Sequence, residues 1–226
     1  MKSDEDNSKL TPTALTIPKN IPLRAPQRSS MPDLSALFRQ NTLTEILAHY
    51  FNDAGPRGFH PAIFLRSYVR IVDKALEDYE LCRSAFDEYV HRVSNNTLSP
   101  LFRAIGHMEN CLNSIERALR FVARMGEDTE LAGIVPALSV MRTSNRRRLS
   151  TLRNAVEHLD ERVINNKICE GDFTTLWMDE DHMKLQEVRV GYQEFGGWLT
   201  ELHTLAITLA KFRPTQTATQ SSNPQN

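Results

Sequence analysis

Residues 152–163 read LRNAVEHLDERV and follow the run NRRR at 145–148. Arginine and histidine on one short stretch have a well-defined joint chemistry. A guanidinium grips a phosphate through two parallel N–H donors, and an imidazole titrates near neutrality and moves protons. On a helical wheel of about 100° per residue, Leu149, Leu152, Val156, Leu159 and Val163 fall on one stripe. Asn154, His158 and Glu161 gather nearly opposite it, and Arg153, Glu157 and Asp160 lie on one flank. A histidine away from the apolar stripe is not a core residue, so it belongs to a solvated face or to a site. Asn154 and His158 are one helical turn apart, close enough to act on one substrate group. Arg142, Arg146, Arg147, Arg148 and Arg153 place five guanidiniums within twelve residues. The triplet Arg146, Arg147 and Arg148 is the candidate RNA-binding cluster. A solvated helix start, balanced by Glu157, Asp160 and Glu161, is the other account of that triplet.

Nothing else along the chain matches this density. Glu88 and His91 have the E-x-x-H spacing of di-iron bundles, but those bundles need two such motifs and only one is present. His107 and Glu109 are two apart, which does not align them on a helix face. No phosphate-binding glycine loop and no nucleophile elbow occurs. No cluster has metal-ligand spacing, and no cofactor is expected. Trp177 and Trp198 read as anchors of a hairpin and a core rather than as platforms for bases.

The elements that must position the motif are mostly helical. The 226 residues carry 27 basic and 28 acidic side chains, so net charge predicts no polyanionic partner and any RNA contact must be local. Cys82, Cys111 and Cys169 are far apart and odd in number, which argues against a disulfide scaffold. The acidic start MKSDEDNSKL is unlike a signal peptide, and no apolar run is long enough for a membrane span, so the expected location is cytoplasmic.

Residues 1–30, rich in proline and polar residues, and 214–226 read as disordered ends of a folded domain at 31–213. Within it, Asp33 is placed to cap a helix that continues through Leu43, Ile46 and Leu47, either as two short helices or as one bent one. A long amphipathic helix starts on Pro61. A second opens with Ser99 as cap and Pro100 at the first position, and the short SNNT link between them implies an antiparallel pair. The motif helix is expected from about Ser144 to Val163. Alternation around DEDH at 179–182 predicts a β-hairpin, and FGGWLTELHTLAITLAKF a closing helix. The expected fold is all-α, an antiparallel helical bundle with a small β-hairpin inserted before the last helix.

Arg153-Asn154-Ala155-Val156-Glu157-His158 resembles the R-x4-H signature of the HEPN superfamily in its form R-N-x-x-x-H, and the LDERV that follows is typical of one branch. HEPN domains are helical bundles with this motif early in a late helix, against two long antiparallel helices, and the resemblance covers about 60–213. It implies a metal-independent endoribonuclease acting as a homodimer, of the kind found among toxins of toxin–antitoxin systems and antiviral defence effectors, with an antitoxin or defence protein as a possible partner. It also allows a catalytically inactive dimeric binding or regulatory module. Carried over, Arg153 would hold the scissile phosphate, His158 would transfer protons, and Asn154 would orient one or the other. Arg153 and His158 lie about 140° apart on a regular helix, so a two-fold interface would help bring them to one group.

Overall fold

The computed structural model describes residues 30–38, 42, 59–92, 98–129, 131–158, 161, 164–165, 176–185 and 187–212. They form helices α1 (Ser35–Phe38), α2 (Phe59–Arg92), α3 (Ser99–Glu127), α4 (Thr143–Glu157) and α5 (Tyr192–Lys211), with a 3-10 turn at Ser139–Met141. Strands β1 (Trp177–Met178), β2 (His182–Leu185) and β3 (Val188–Gly191) lie between α4 and α5.

Helices α2 and α3 are the frame. Tyr68, Val72, Ala75, Leu76, Tyr79 and Cys82 are fully buried along α2, and Met108, Cys111, Leu112, Ile115, Ala118 and Leu119 along α3. Spacings of three and four put each set on one side of its helix, where a large side chain withdrawn from water contributes about 1.5–3 kcal/mol. Their partners run in opposite order: Glu88 pairs with Arg103, Cys111 Sγ donates to Ala75 O at 3.2 Å, and Phe64 meets Phe121 edge-on at 6.2 Å. The pair is therefore antiparallel, as the spacing predicts; the SNNT link lies outside the described residues. Helix α5 closes the core with Phe195, Trp198, Leu199 and Leu202, and Tyr68 donates from α2 to Leu202 O at 2.8 Å.

Two helix starts differ in detail from the sequence reading. Leu98, not Ser99, holds the N-cap position of α3, with no side-chain cap. Pro100 suits the first turn through its fixed φ and removes one of the N–H groups that a cap would otherwise satisfy. Asp33 stands one residue ahead of its expected place: its carboxylate accepts from the Ser35 amide at 2.9 Å and pairs with Arg83 at 3.1 Å. Hydrogen bonds from Ser35, and then Arg83, hold this carboxyl well below the usual range. The continuation through Leu43, Ile46 and Leu47 lies outside the described residues.

The expected hairpin is a three-stranded antiparallel meander, β1–β2–β3, with Met178 opposite Met183 and Met183 opposite Val190. Met178, Met183, Leu185 and Val190 are buried, and their alternation along the strands puts them on the core face. Among the described residues no helix is long and apolar enough to cross a membrane.

The segment before α1 is clamped onto this core. Tyr79 donates to Pro32 O at 3.0 Å, and Leu34 N donates to Glu80 at 2.9 Å. Gly196 of α5 lies against the Pro32 ring, where an added Cβ would stand 2.3 Å from Pro32 Cγ. Gly196→Ala should therefore lift the segment and cost about 1–3 kcal/mol. A lower melting temperature and faster proteolytic cutting near residue 30 are expected; a variant melting with wild type would contradict this packing.

Candidate active site

Helix α4 carries the motif and rests on α3, β2 and β3. Leu149 and Leu152 are fully buried and Val156 partly so, which fixes the helix's rotation as the wheel predicts. Leu159 and Val163, the rest of the stripe, lie outside the described residues, as does Asp160.

The helix is shorter than its periodicity implied. It ends at Glu157 rather than near Val163, and His158 takes the C-cap position with φ −104° and ψ 20°. Glu161 and Ile164 are helical again beyond the break. An acidic side chain at a helix C-terminus opposes the macrodipole; the last turn of α4 holds no basic residue, and Glu157 is answered by Arg153 one turn earlier. The motif thus occupies the end of its helix rather than the early position that the resemblance implied. His158 stands at a break in the backbone.

Arg153 is four-fifths buried, with its side chain 19% exposed. It forms an ion pair with Glu157 and donates to Asn154 Oδ1 at 3.0 Å. Its Nε is shielded from solvent without a hydrogen-bond partner. Asn154 is exposed. His158 is half-exposed, and its Nδ1 lies 3.3 Å from Glu161 Oε2. Arg153, Asn154 and Glu157 therefore form one cluster, and His158 and Glu161 a second beside the helix end. The imidazole keeps an open side to solvent, while the guanidinium is engaged by Glu157 and Asn154.

The arginine triplet divides. Arg146 donates to Glu116 of α3 at 2.8 Å, and the side chain of Glu116 is only 7% exposed. Arg148 grips Glu194 of α5 with two nitrogens, one at 2.9 Å, reaches Asn145 Oδ1 at 2.7 Å, and stacks 5.7 Å from the centre of the buried Trp198 ring. These two side chains fasten α4 to its neighbours, while Arg147 and Arg142 are exposed. The wheel could not show this, because the carboxylates come from residues 30 and 46 positions away. Arg153 and Glu157, by contrast, stand at the i, i+4 spacing that makes such a pair legible.

Arg148→Ala should accordingly lower stability by about 1–2 kcal/mol, a discounted value for a partly exposed bidentate pair. Arg147→Ala should melt within about 0.5 kcal/mol of wild type. Thermal denaturation of the two variants side by side checks the division, and equal melting would contradict it.

The other singled-out groups do not form a site. Glu88 pairs with Arg103, and His91 Nδ1 lies 2.6 Å from Asp87 O in its own helix. His107 Nδ1 is 3.6 Å from the buried Asp78, which also holds Lys74 at 2.9 Å. Burial pushes the Cys82 and Cys111 thiols well up, as befits core residues. Among the described residues no group of three or more His, Cys, Asp or Glu is placed to hold a metal ion.

No protein-family model matches the chain, and comparisons with curated proteins and with solved structures likewise find no match.

Proposed function

We propose that the chain is a HEPN-type endoribonuclease that cleaves RNA without a metal ion, by attack of the substrate's own 2′-hydroxyl. The observation that carries this reading is the half-exposed His158 beside Glu161 at the end of the helix that holds Arg153 and Asn154. The all-α bundle with its inserted sheet and two long antiparallel helices agrees with it.

An imidazole that donates Nδ1–H to Glu161 presents Nε2 as a base. Nε2 takes the 2′-hydroxyl proton, the 2′-oxygen bonds to the adjacent phosphorus, and the P–O5′ bond breaks. The products are a 2′,3′-cyclic phosphate and a 5′-hydroxyl, the leaving oxygen taking a proton from an acid in the site. Arg153, released from Glu157, stabilises the charge that builds on the phosphoryl oxygens, and Asn154 steadies the guanidinium. In a two-fold dimer the second copy of His158 supplies that acid, so the homodimer belongs to the proposal. Arg147 adds phosphate affinity from outside the reacting centre. A toxin or antiviral defence effector, held in check by an antitoxin or defence protein, is the biological role that fits such an activity.

The ion pair between Arg153 and Glu157 also favours a second reading, an inactive HEPN-like dimeric module in which the guanidinium serves structure alone. Incubation of wild type and His158→Ala with total RNA, with and without EDTA, separates the two. The nuclease reading expects cleavage by wild type alone, unaffected by the chelator. Equal cleavage by both proteins, or by neither, would remove it.

A further inference from the structure

Away from the motif, Phe64 of α2 and Arg117, Arg120, Phe121 and Arg124 of α3 line an open groove of about 320 Å³. The three arginines recur at spacings of three and four, so they form one stripe about 10 Å long beside the two aromatic rings. Arg117 is exposed, and the side chains of Arg120 and Arg124 are about two-thirds so. Their acidic neighbours compete weakly. Glu127 meets Arg124 as a solvated pair at 2.5 Å, of a kind that contributes little. Glu116 stands 3.6 Å from Arg120 and is held more closely, at 2.8 Å, by Arg146. Through that pair the groove helix is fastened to the motif helix.

The geometry points to this groove as a binding track for single-stranded RNA, in which the arginine stripe follows the phosphates and a base packs against the pair of phenylalanines. A guanidinium row beside apolar rings suits a strand whose bases are unstacked, since each base offers a face to the ring and each phosphate a charge to the row. A duplex hides its base faces and would use only the row. The assignment rests on the reading of the chain as an RNA-acting protein.

The test uses the full chain and a fluorescein-labelled, 2′-O-methylated ten-nucleotide RNA, which lacks the nucleophile and so reports binding alone. Anisotropy titrations between 50 and 200 mM salt should give a log–log slope of about −2 or steeper for wild type, the three groove arginines adding about −0.7 for each phosphate neutralised. Replacing Arg117, Arg120 and Arg124 together by glutamine should make the slope about 2 less negative and weaken binding more than about tenfold at low salt. Phe121→Leu should weaken binding about tenfold and leave the slope unchanged, because it removes a stacking face and no charge. Arg117→Gln alone, with the slope reduced by about 0.7, serves if the triple variant unfolds.

Undiminished binding by the arginine variants, absence of binding by wild type, or competition by blunt duplex DNA as strong as by the unlabelled strand would each overturn the assignment. The nuclease reading is judged separately, on cleavage of unmodified RNA. Groove variants that cut like wild type at low substrate while His158→Ala does not would sink the groove and keep the nuclease.

Discussion

His158→Ala is expected to lower the rate of RNA cleavage by about 10²–10⁴-fold, the range that a positioned general acid or base contributes. The loss should fall on turnover and leave binding of an uncleavable strand within about twofold, because the imidazole acts on the proton and not on the phosphate charge. Stability gives a clean control. His158 is half-exposed with one exposed carboxylate beside it, and surface substitutions of this kind stay within about 0.5 kcal/mol. Glu161→Gln should lower the rate as well, by a smaller factor, since it leaves the imidazole in place and removes only the group that favours one tautomer. A fully active His158→Ala would take the reaction away from this helix end.

Arg153→Lys is the second large effect, with an expected loss of about 10²–10³-fold in kcat/KM. Lysine keeps the charge and a long stem, so a four-fifths buried position remains filled, but an ammonium cannot present two parallel donors to a phosphate. Glu157→Gln should work the other way. It releases the guanidinium from its ion pair and should strengthen binding of the scissile segment. If Arg153→Lys cleaves like wild type, Arg153 holds Glu157 for structural reasons only, and the scissile phosphate is gripped by another group.

Periodicity accounts for most of what the sequence disclosed. Tyr68, Val72 and Leu76 on α2, and Met108, Leu112 and Leu119 on α3, all lie on the faces their spacing predicts, because burial of a helix face is a local repeat that any sufficiently long segment displays. The inserted sheet was legible in its alternation, though not its extent, since the two-residue strand β1 is too short to carry a period. The end of α4 was not legible. No glycine or proline marks it, and Leu159 and Val163 prolong the apolar rhythm past the place where the backbone turns at His158.

The site divides along the same line. Arg153, Asn154 and His158 could be picked out because their residue types and spacing are local. The fates of Arg146 and Arg148 depend on Glu116 and Glu194, brought to them only by the packing of α3 and α5. A run of arginines has the same appearance in a sequence whether it faces an RNA or ties a bundle together. The groove between Phe64 and Phe121 is likewise created by the antiparallel pairing of α2 and α3, and no spacing along either helix announces it.

The most direct measurement of the central claim is made on a short RNA carrying the preferred cut site, together with the same RNA in which the 2′-hydroxyl at that site is replaced by hydrogen. Both are incubated with the wild-type chain in EDTA, and the product termini are identified by mass. Attack by the 2′-hydroxyl requires that the unmodified strand yield a 2′,3′-cyclic phosphate and a 5′-hydroxyl and that the deoxy-substituted strand be left intact at that position. Cleavage of the substituted strand there, or activity lost with the chelator and regained with magnesium, would contradict it.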